Sequence, residues 1–176
     1  MMTDPAPIFW ITGPPGAGKT TVSLELLQRF EFGFHVKVDD LRTWVASGLN
    51  ESVDWTDETT RQFTLAEEAA CRIALVYHRA GFAVAIDHCR NLPRIEEIIA
   101  QFLGEVTVRR VCLVPTLEEN LRRNHTRTNK DFDTRELDFI IEDMNPTMAI
   151  SPPAGWLVLD TTHLSVEQTV AEILRG

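Results

Sequence analysis

A chain of 176 residues is long enough for one domain that buries roughly 70% of its unfolded surface, and its 44% apolar and 24% charged content excludes a disordered or fibrous chain. Twenty-six acidic side chains against 17 basic give a formal charge of −9, which works against loose binding to nucleic acid or an anionic membrane and leaves room only for a local basic groove. Cys71, Cys89 and Cys112 stand far apart with no C-x-x-C pair, Met1 to Pro7 has no signal-peptide form, and no apolar run approaches ~20 residues; a metal or disulfide framework is disfavoured and a cytoplasmic setting expected.

In chain order, Ile8-Phe9-Trp10-Ile11 reads as a short buried strand, and Thr20 to Phe30, apolar at Val22, Leu24, Leu26, Leu27 and Phe30, as a helix. Between them GPPGAGKT matches the phosphate-binding pattern G-x-x-x-x-G-K-[ST] at every fixed position. Gly13, Gly16 and Gly18 allow backbone conformations that turn successive N–H groups around an anion, with Pro14, Pro15, Ala17 and Thr21 completing the loop and its exit. Lys19 would place a cation on the outer phosphates, the Thr20 hydroxyl would meet Mg²⁺, and the helix N-terminus adds its dipole.

His35 to Val38 is expected to form a second strand ending at Asp39-Asp40-Leu41-Arg42, and the mixed composition from Trp44 to Trp55 points to a mobile segment. A long helix, capped by Thr56 or Asp57, runs to Gly81; Phe82 to Ile86 is a strand buried on both faces that stops at Asp87. Pro93 suits the first turn of a helix ending at Gly104, and Val106 to Val114 is the next strand. Thr116-Leu-Glu-Glu119 has the form of a capping box for a helix to Arg127, Thr128 to Phe132 reads as a loop, and Asp133-Thr-Arg-Glu136 opens a helix expected to stop at Asn145-Pro146. Trp156 to Leu159 and Ser165 to Leu174 are the last strand and helix. Strands alternating with helices predict one α/β domain over residues 1–176, a parallel sheet covered on both faces.

Ligands of such sheets lie beyond the carboxyl ends of the strands, where four groups fall: the Gly13 to Thr20 loop, Asp39 and Asp40 with Arg42, Asp87, and the Thr161-Thr162-His163 turn. Asp87 has the placement of an acid that holds Mg²⁺, or else caps the next segment. Asp39 or Asp40 could orient and deprotonate a hydroxyl beside the Arg42 cation, or could be acidic caps on a helix beginning at Leu41. Arg122, Arg123 and Arg127, followed by Lys130 and Arg135, gather positive charge that would neutralise a transferring phosphoryl group from a lid, or would pair with Glu118 and Glu119 on an exposed helix. His88, His125 and His163 lack metal-ligand spacing, and Trp10, Trp44, Trp55 and Trp156 fit core or pocket walls better than single-strand stacking.

With GPPGAGKTT, VDDLR, AIDHCRNL, LRRNHTR and LDTTHLSVEQTVAEIL in this order, the chain resembles the P-loop kinases of the nucleoside and small-molecule class. It is most similar to the kinase domain of polynucleotide 5′-hydroxyl kinases and their relatives, the chloramphenicol phosphotransferase-like and zeta-toxin-like kinases. The resemblance implies a three-layer fold with a five-stranded parallel sheet and a helical lid over about residues 118–145, with ATP and Mg²⁺ as cofactors. Asp39 would be the base for the acceptor hydroxyl, and Arg42 would touch the acceptor or its phosphate. Asp87 would serve the metal or acceptor. Arg123 and Arg127 would reach ATP from the lid, and Thr162-His163 would lie beside adenine. Where relatives carry D-x-[TS]-N, this chain has Asp87-His88-Cys89-Arg90-Asn91, and Arg90 could meet an acidic or phosphorylated acceptor. A small-molecule hydroxyl acceptor is expected. Three lysines in the whole chain suit a polynucleotide poorly. A polynucleotide or nucleoside 5′-hydroxyl kinase and a nucleotide-dependent regulatory ATPase are the alternatives.

Overall fold

The computed structural model describes residues 6–52, 55–127 and 133–176, so the expected loop from Thr128 to Phe132, with Lys130, lies outside the described residues. Five parallel strands form one sheet: β1 (Ile8–Thr12), β2 (Gly33–Lys37), β3 (Ala83–Asp87), β4 (Val108–Leu113) and β5 (Trp156–Leu159), in the order β2-β3-β1-β4-β5. β1 is central because it is apolar throughout and buried at all five positions, as a strand covered on both faces must be. Its side chains alternate. Ile8 and Trp10 enter a core with α3 (Asp57–Arg79) and α4 (Leu92–Phe102); Phe9 and Ile11 enter the opposite core with α1 (Lys19–Leu27) and α7 (Val166–Arg175). A smaller cluster, Leu92, Cys112, Val114 and Met148, seats α6 (Asp138–Met148) beside β4.

The sheet register sets the active edge. Asp87 pairs with Ile11 on one side and Lys37 on the other, so the ends of β1, β2 and β3 lie level. Among the described residues no helix is long and apolar enough to cross a membrane.

Several local expectations change. The second strand ends at Lys37, and a short helix α2 (Val38–Thr43) begins at once, with Asp39 and Asp40 in its first turn rather than in a loop before Leu41. Val38 and Arg42 are its buried positions, four residues apart on one face, while both acids point outward. The segment after α2 is pinned: Asn50 N–H donates to Gln62 Oε1 at 3.0 Å, and Gln62 Nε2 donates to the Gly48 carbonyl at 2.8 Å. Trp44 is 73% exposed and belongs to neither a core nor a pocket wall. Thr116 caps α5 (Leu117–Thr126) without a side-chain cap bond, because Glu119 is held by Arg122 and Arg123. α6 runs past Asn145-Pro146 to Met148, with Pro146 inside its last turns; Asn145 Nδ2, bonded to the Pro115 carbonyl and Asn120 Oδ1, anchors that end.

Candidate functional site

The loop after β1 is shaped by close backbone approaches. A Cβ on Gly13 would meet the Leu113 carbonyl oxygen at 2.4 Å, so only glycine lets the loop leave β1 against β4. Gly18, at φ 95°, turns the chain into α1, and a Cβ there would meet nothing within 4 Å, which leaves the mouth of the loop open. Lys19 Nζ donates to the carbonyls of Gly13 and Pro14, both at 3.0 Å, folding its cation over the loop. Beside the loop lies a cleft of about 510 Å³ whose walls include Gly18, Thr21, Val22, Arg123, Thr161 and Leu164. Thr162 and His163 stand next to this lining: the Thr162 hydroxyl accepts from the Thr116 N–H at 2.8 Å and bonds Asp160, and His163 is exposed.

Asp87, the last residue of β3, is buried against the helix end of the loop, and its Oδ2 accepts from the Thr20 hydroxyl at 2.6 Å. His35 Nε2 lies 3.4 Å from the same oxygen, at the outer edge of hydrogen-bonding reach. Burial opposes the charge on Asp87, but His35, the Lys19 cation and the Thr20 hydroxyl outweigh it and hold the carboxyl below its usual range. A hydroxyl and a carboxylate in contact are hard oxygen donors of the kind magnesium takes together with phosphate oxygens. Among the described residues no group of three or more His, Cys, Asp or Glu side chains could hold a metal ion.

The two acids of α2 differ. Asp40 Oδ1 accepts from Lys37 Nζ at 2.8 Å, whereas the exposed Asp39 carboxylate has no hydrogen bond or ion pair among the described residues. Arg42 is 8% exposed, donates from Nη1 to the Asn50 carbonyl at 2.8 Å and lies 4.5 Å over the Phe63 ring. Trp55 stacks on the other ring system: the Trp55 and Phe63 centroids are 5.0 Å apart with the planes within 8°. Arg90 sits 5.0 Å over Trp55 and 5.2 Å over Phe63.

Glu67 sets Arg90. This carboxylate is 0% exposed and accepts from His88 Nε2 at 3.2 Å, Arg90 Nε at 3.1 Å and Arg94 Nη2 at 2.8 Å. Burial raises its pKa, but those three partners together bring it below the usual 4.5. Sequence reasoning missed Glu67, although a signal was there: it falls in the apolar stripe of Phe63, Ala66, Ala70, Cys71 and Ala74 and not on the polar face. It also missed Asn120, fully buried on α5, whose Nδ2 donates to the Pro15 carbonyl at 2.7 Å and fastens α5 to the loop.

Arg122 and Arg123 of α5, and Arg127, which follows the helix in extended backbone and not within it as expected, fall into three environments. Arg122 is exposed and forms a two-pronged pair with Glu119. Arg123 donates to Glu119 at 2.6 Å and to the Thr161 carbonyl at 2.7 Å, at the rim of the cleft. Arg127 is half-buried with its Nε unpartnered among the described residues, and desolvation pulls its pKa down.

Known proteins are similar to this chain in sequence and in fold. A Shewanella loihica protein named "Cytidylate kinase" is 24% identical over 96% of this chain and 93% of its own. An Aeropyrum pernix protein named "Probable adenylyl-sulfate kinase" is 25% identical over 93% of this chain and 88% of its own. The Mycobacterium tuberculosis APS kinase in complex with AMPPNP and APS has the same fold, with a TM-score of 0.64 and 17% identity over 99% of this chain and 100% of that one. The chain belongs to the family described as AAA domain, whose model matches residues 8–146, from the first residue of β1 into the last turns of α6.

Proposed function

We propose that this chain is an ATP- and Mg²⁺-dependent kinase that transfers a phosphoryl group to a hydroxyl of a small-molecule acceptor. The observation that carries the reading is the level alignment of three strand ends, which gathers the phosphate loop, the Thr20–Asp87 contact and the unpaired Asp39 carboxylate. The similarity to proteins named as kinases supports the class.

In this reading the loop N–H groups and the α1 terminus hold the nucleotide phosphates, and Lys19 exchanges its two carbonyl contacts for phosphate oxygens. Adenine would lie in the cleft between Val22 and the Thr161-to-Leu164 turn, with Thr162 and His163 behind it. Thr20 and Asp87 would hold magnesium, which when bound screens the phosphate charge. Asp39 is the base: Asp40 is already engaged by Lys37, so Asp39 is the acid free to orient and accept the acceptor's hydroxyl proton. Arg42 and Arg90 face the acceptor.

The lid of this reading is the 118–145 region. Asn120 fixes its base to the loop, so closure falls on the part beyond it, which carries Arg123 and Arg127 toward the transferring group. Two arginines on an aromatic pair are a compact receptor, short of the row of cations that a polynucleotide backbone calls for.

The test is ATP turnover against nucleosides, short oligonucleotides, sugars, hydroxy acids and antibiotics, with Lys19→Ala and Asp39→Asn alongside. One acceptor should be phosphorylated, and Asp39→Asn should lower kcat by roughly 10²- to 10⁴-fold while nucleotide binding persists. Slow hydrolysis whatever is added, unchanged by Asp39→Asn, would sink the kinase reading in favour of a nucleotide-dependent switch.

A further inference from the structure

The phosphate loop rests directly on α5. A Cβ on Gly16 would meet Asn120 Nδ2 at 3.0 Å, the Asn120 carbonyl oxygen at 3.2 Å and Asn124 Cβ at 3.2 Å. Asn120 and Asn124, one helical turn apart, therefore form a buried polar face against the loop. Asn120 Nδ2 donates to the Pro15 carbonyl at 2.7 Å, which holds that oxygen toward the helix. The Pro15–Gly16 peptide is planar and trans, so its N–H points opposite to its C=O. Pinning the Pro15 oxygen on α5 thus turns the Gly16 N–H away from the helix, and Gly16, at φ 81°, is one of the residues that let loop N–H groups converge.

The Asn120 amide is itself set by α6. Its Oδ1 accepts from Asn145 Nδ2 at 3.0 Å, and the same Nδ2 donates to the Pro115 carbonyl at 2.8 Å. Backbone carbonyls stand at both ends of this chain and can only accept, so each asparagine has one allowed direction. Reversing either amide would set oxygen against oxygen in a buried site, where an unmade bond costs most. A second tie runs beside the first: Asn124 Nδ2 donates to the Thr134 carbonyl at 2.6 Å, and the Thr134 hydroxyl donates to the Asn124 carbonyl at 2.7 Å, just ahead of α6.

We propose that Asn120 and Asn145 are positioning residues that relay the seating of α6 to the phosphate loop, by fixing the direction in which the Gly16 N–H is presented to a nucleotide phosphate. Asn145 reaches the loop only through Asn120, so nucleotide affinity depends on a helix that has no hydrogen bond to the loop among the described residues. The inference rests on the nucleotide reading of the loop and is independent of the acceptor. Preset N–H groups bind an anion without first being ordered, which is where the relay contributes affinity.

The test is calorimetric titration of ADP into the wild-type protein, Lys19→Ala, Asn120→Ala, Asn145→Ser and the variant carrying both asparagine changes, each first shown by denaturant unfolding to be folded at the assay temperature. ADP affinity should fall roughly 10-fold in Asn120→Ala and roughly 3- to 10-fold in Asn145→Ser. The double variant should lose no more than Asn120→Ala alone, because Asn145 acts through Asn120. Wild-type affinity in Asn145→Ser, or losses that multiply in the double variant, would overturn the relay and leave Asn145 a residue of stability alone. Failure of the nucleotide reading looks different: ADP would bind wild type and Lys19→Ala equally, or neither, and the inference falls with its premise. Where Asn120→Ala does not fold, the Gly16 amide resonance of nucleotide-free Asn145→Ser decides. It should move from its wild-type position although the substitution lies on α6, and an unmoved resonance overturns the proposal.

Discussion

In the proposed reading, the nucleotide and acceptor halves of this site are built from different materials. The nucleotide half is backbone: a loop of eight consecutive residues whose glycines let main-chain groups turn inward, followed at once by a helix N-terminus. The acceptor half is side chains from four separate stretches, with Arg42 from α2, Trp55 ahead of α3, Phe63 and Glu67 from α3, and Arg90 from the turn after β3. A backbone site tolerates no change at a few positions and is indifferent at the rest. A side-chain site can be retuned residue by residue while the fold stays fixed. One fold can therefore keep its nucleotide chemistry and vary its acceptor.

The largest expected effects lie in the backbone half. Gly13→Ala would drive a Cβ to 2.4 Å from the Leu113 carbonyl, backbone against backbone, at a φ of 151° that alanine resists. It should cost about 2–4 kcal/mol of unfolding free energy and abolish nucleotide binding together. Lys19→Ala separates the two, because the Lys19 ammonium hydrogen-bonds only to loop carbonyls and its further effect is a through-space one on Asp87. Nucleotide turnover should fall by about 10³-fold or more with a far smaller loss of stability than Gly13→Ala causes. A Gly13→Ala protein that still bound nucleotide normally would break the contrast.

Next in size is Glu67, the support of the side-chain half. Glu67→Ala strands Arg90 and Arg94 beside a buried hole and should cost about 3 kcal/mol, measured by denaturant unfolding. Acid should do the same reversibly. Glu67 is held below its usual 4.5 in the folded protein, so its contribution is complete above about pH 4.5 and disappears as pH falls through the lowered value; Asp87, held below 3.8, adds a loss of the same sign. Glu67→Gln, which cannot titrate, should flatten the acid limb of the stability curve. An acid limb unchanged by Glu67→Gln would mean that the network is bystander packing.

The same division explains what could be read from the sequence. The strands, the helices that cover them and the phosphate loop were legible because each depends on residues close together in the chain: apolar runs, a glycine pattern, and Pro93 two residues after the Asn91 cap. Asp39 and Asp40 were legible as a pair but not as different acids, since only the Asp40–Lys37 contact distinguishes them. Glu67 and Glu68 are adjacent and chemically identical, yet one is buried under Arg90 and the other pairs with Arg72 at the surface. Helical phase carries that difference, and the meaning of the buried acid comes only from where β3 and α4 deliver their arginines.

The smallest effect tests whether even local patterns are read locally. Thr116-Leu-Glu-Glu119 and Ser165-Val-Glu-Gln168 both have the capping-box form, and both open helices that flank the nucleotide cleft. Only the second is made: Ser165 Oγ accepts from the Gln168 N–H at 3.2 Å, and Gln168 Oε1 accepts from the Ser165 N–H at 2.8 Å. Glu119 is drawn instead to Arg122 and Arg123, three and four residues on, which hold its carboxyl down at about 2. Ser165→Ala should therefore cost about 1 kcal/mol, a fall of roughly 2–4 °C in melting temperature for a protein of this size. Thr116→Ala should cost less than about 0.5 kcal/mol, since no side-chain cap is lost and the Thr116 N–H keeps its bond to Thr162. Equal losses would mean that Thr116 forms its box in solution and that Glu119 is not committed to the arginines. Arg123 would then be released from one of the contacts holding it at the cleft rim, and a phosphoryl-transfer role for it would need less rearrangement.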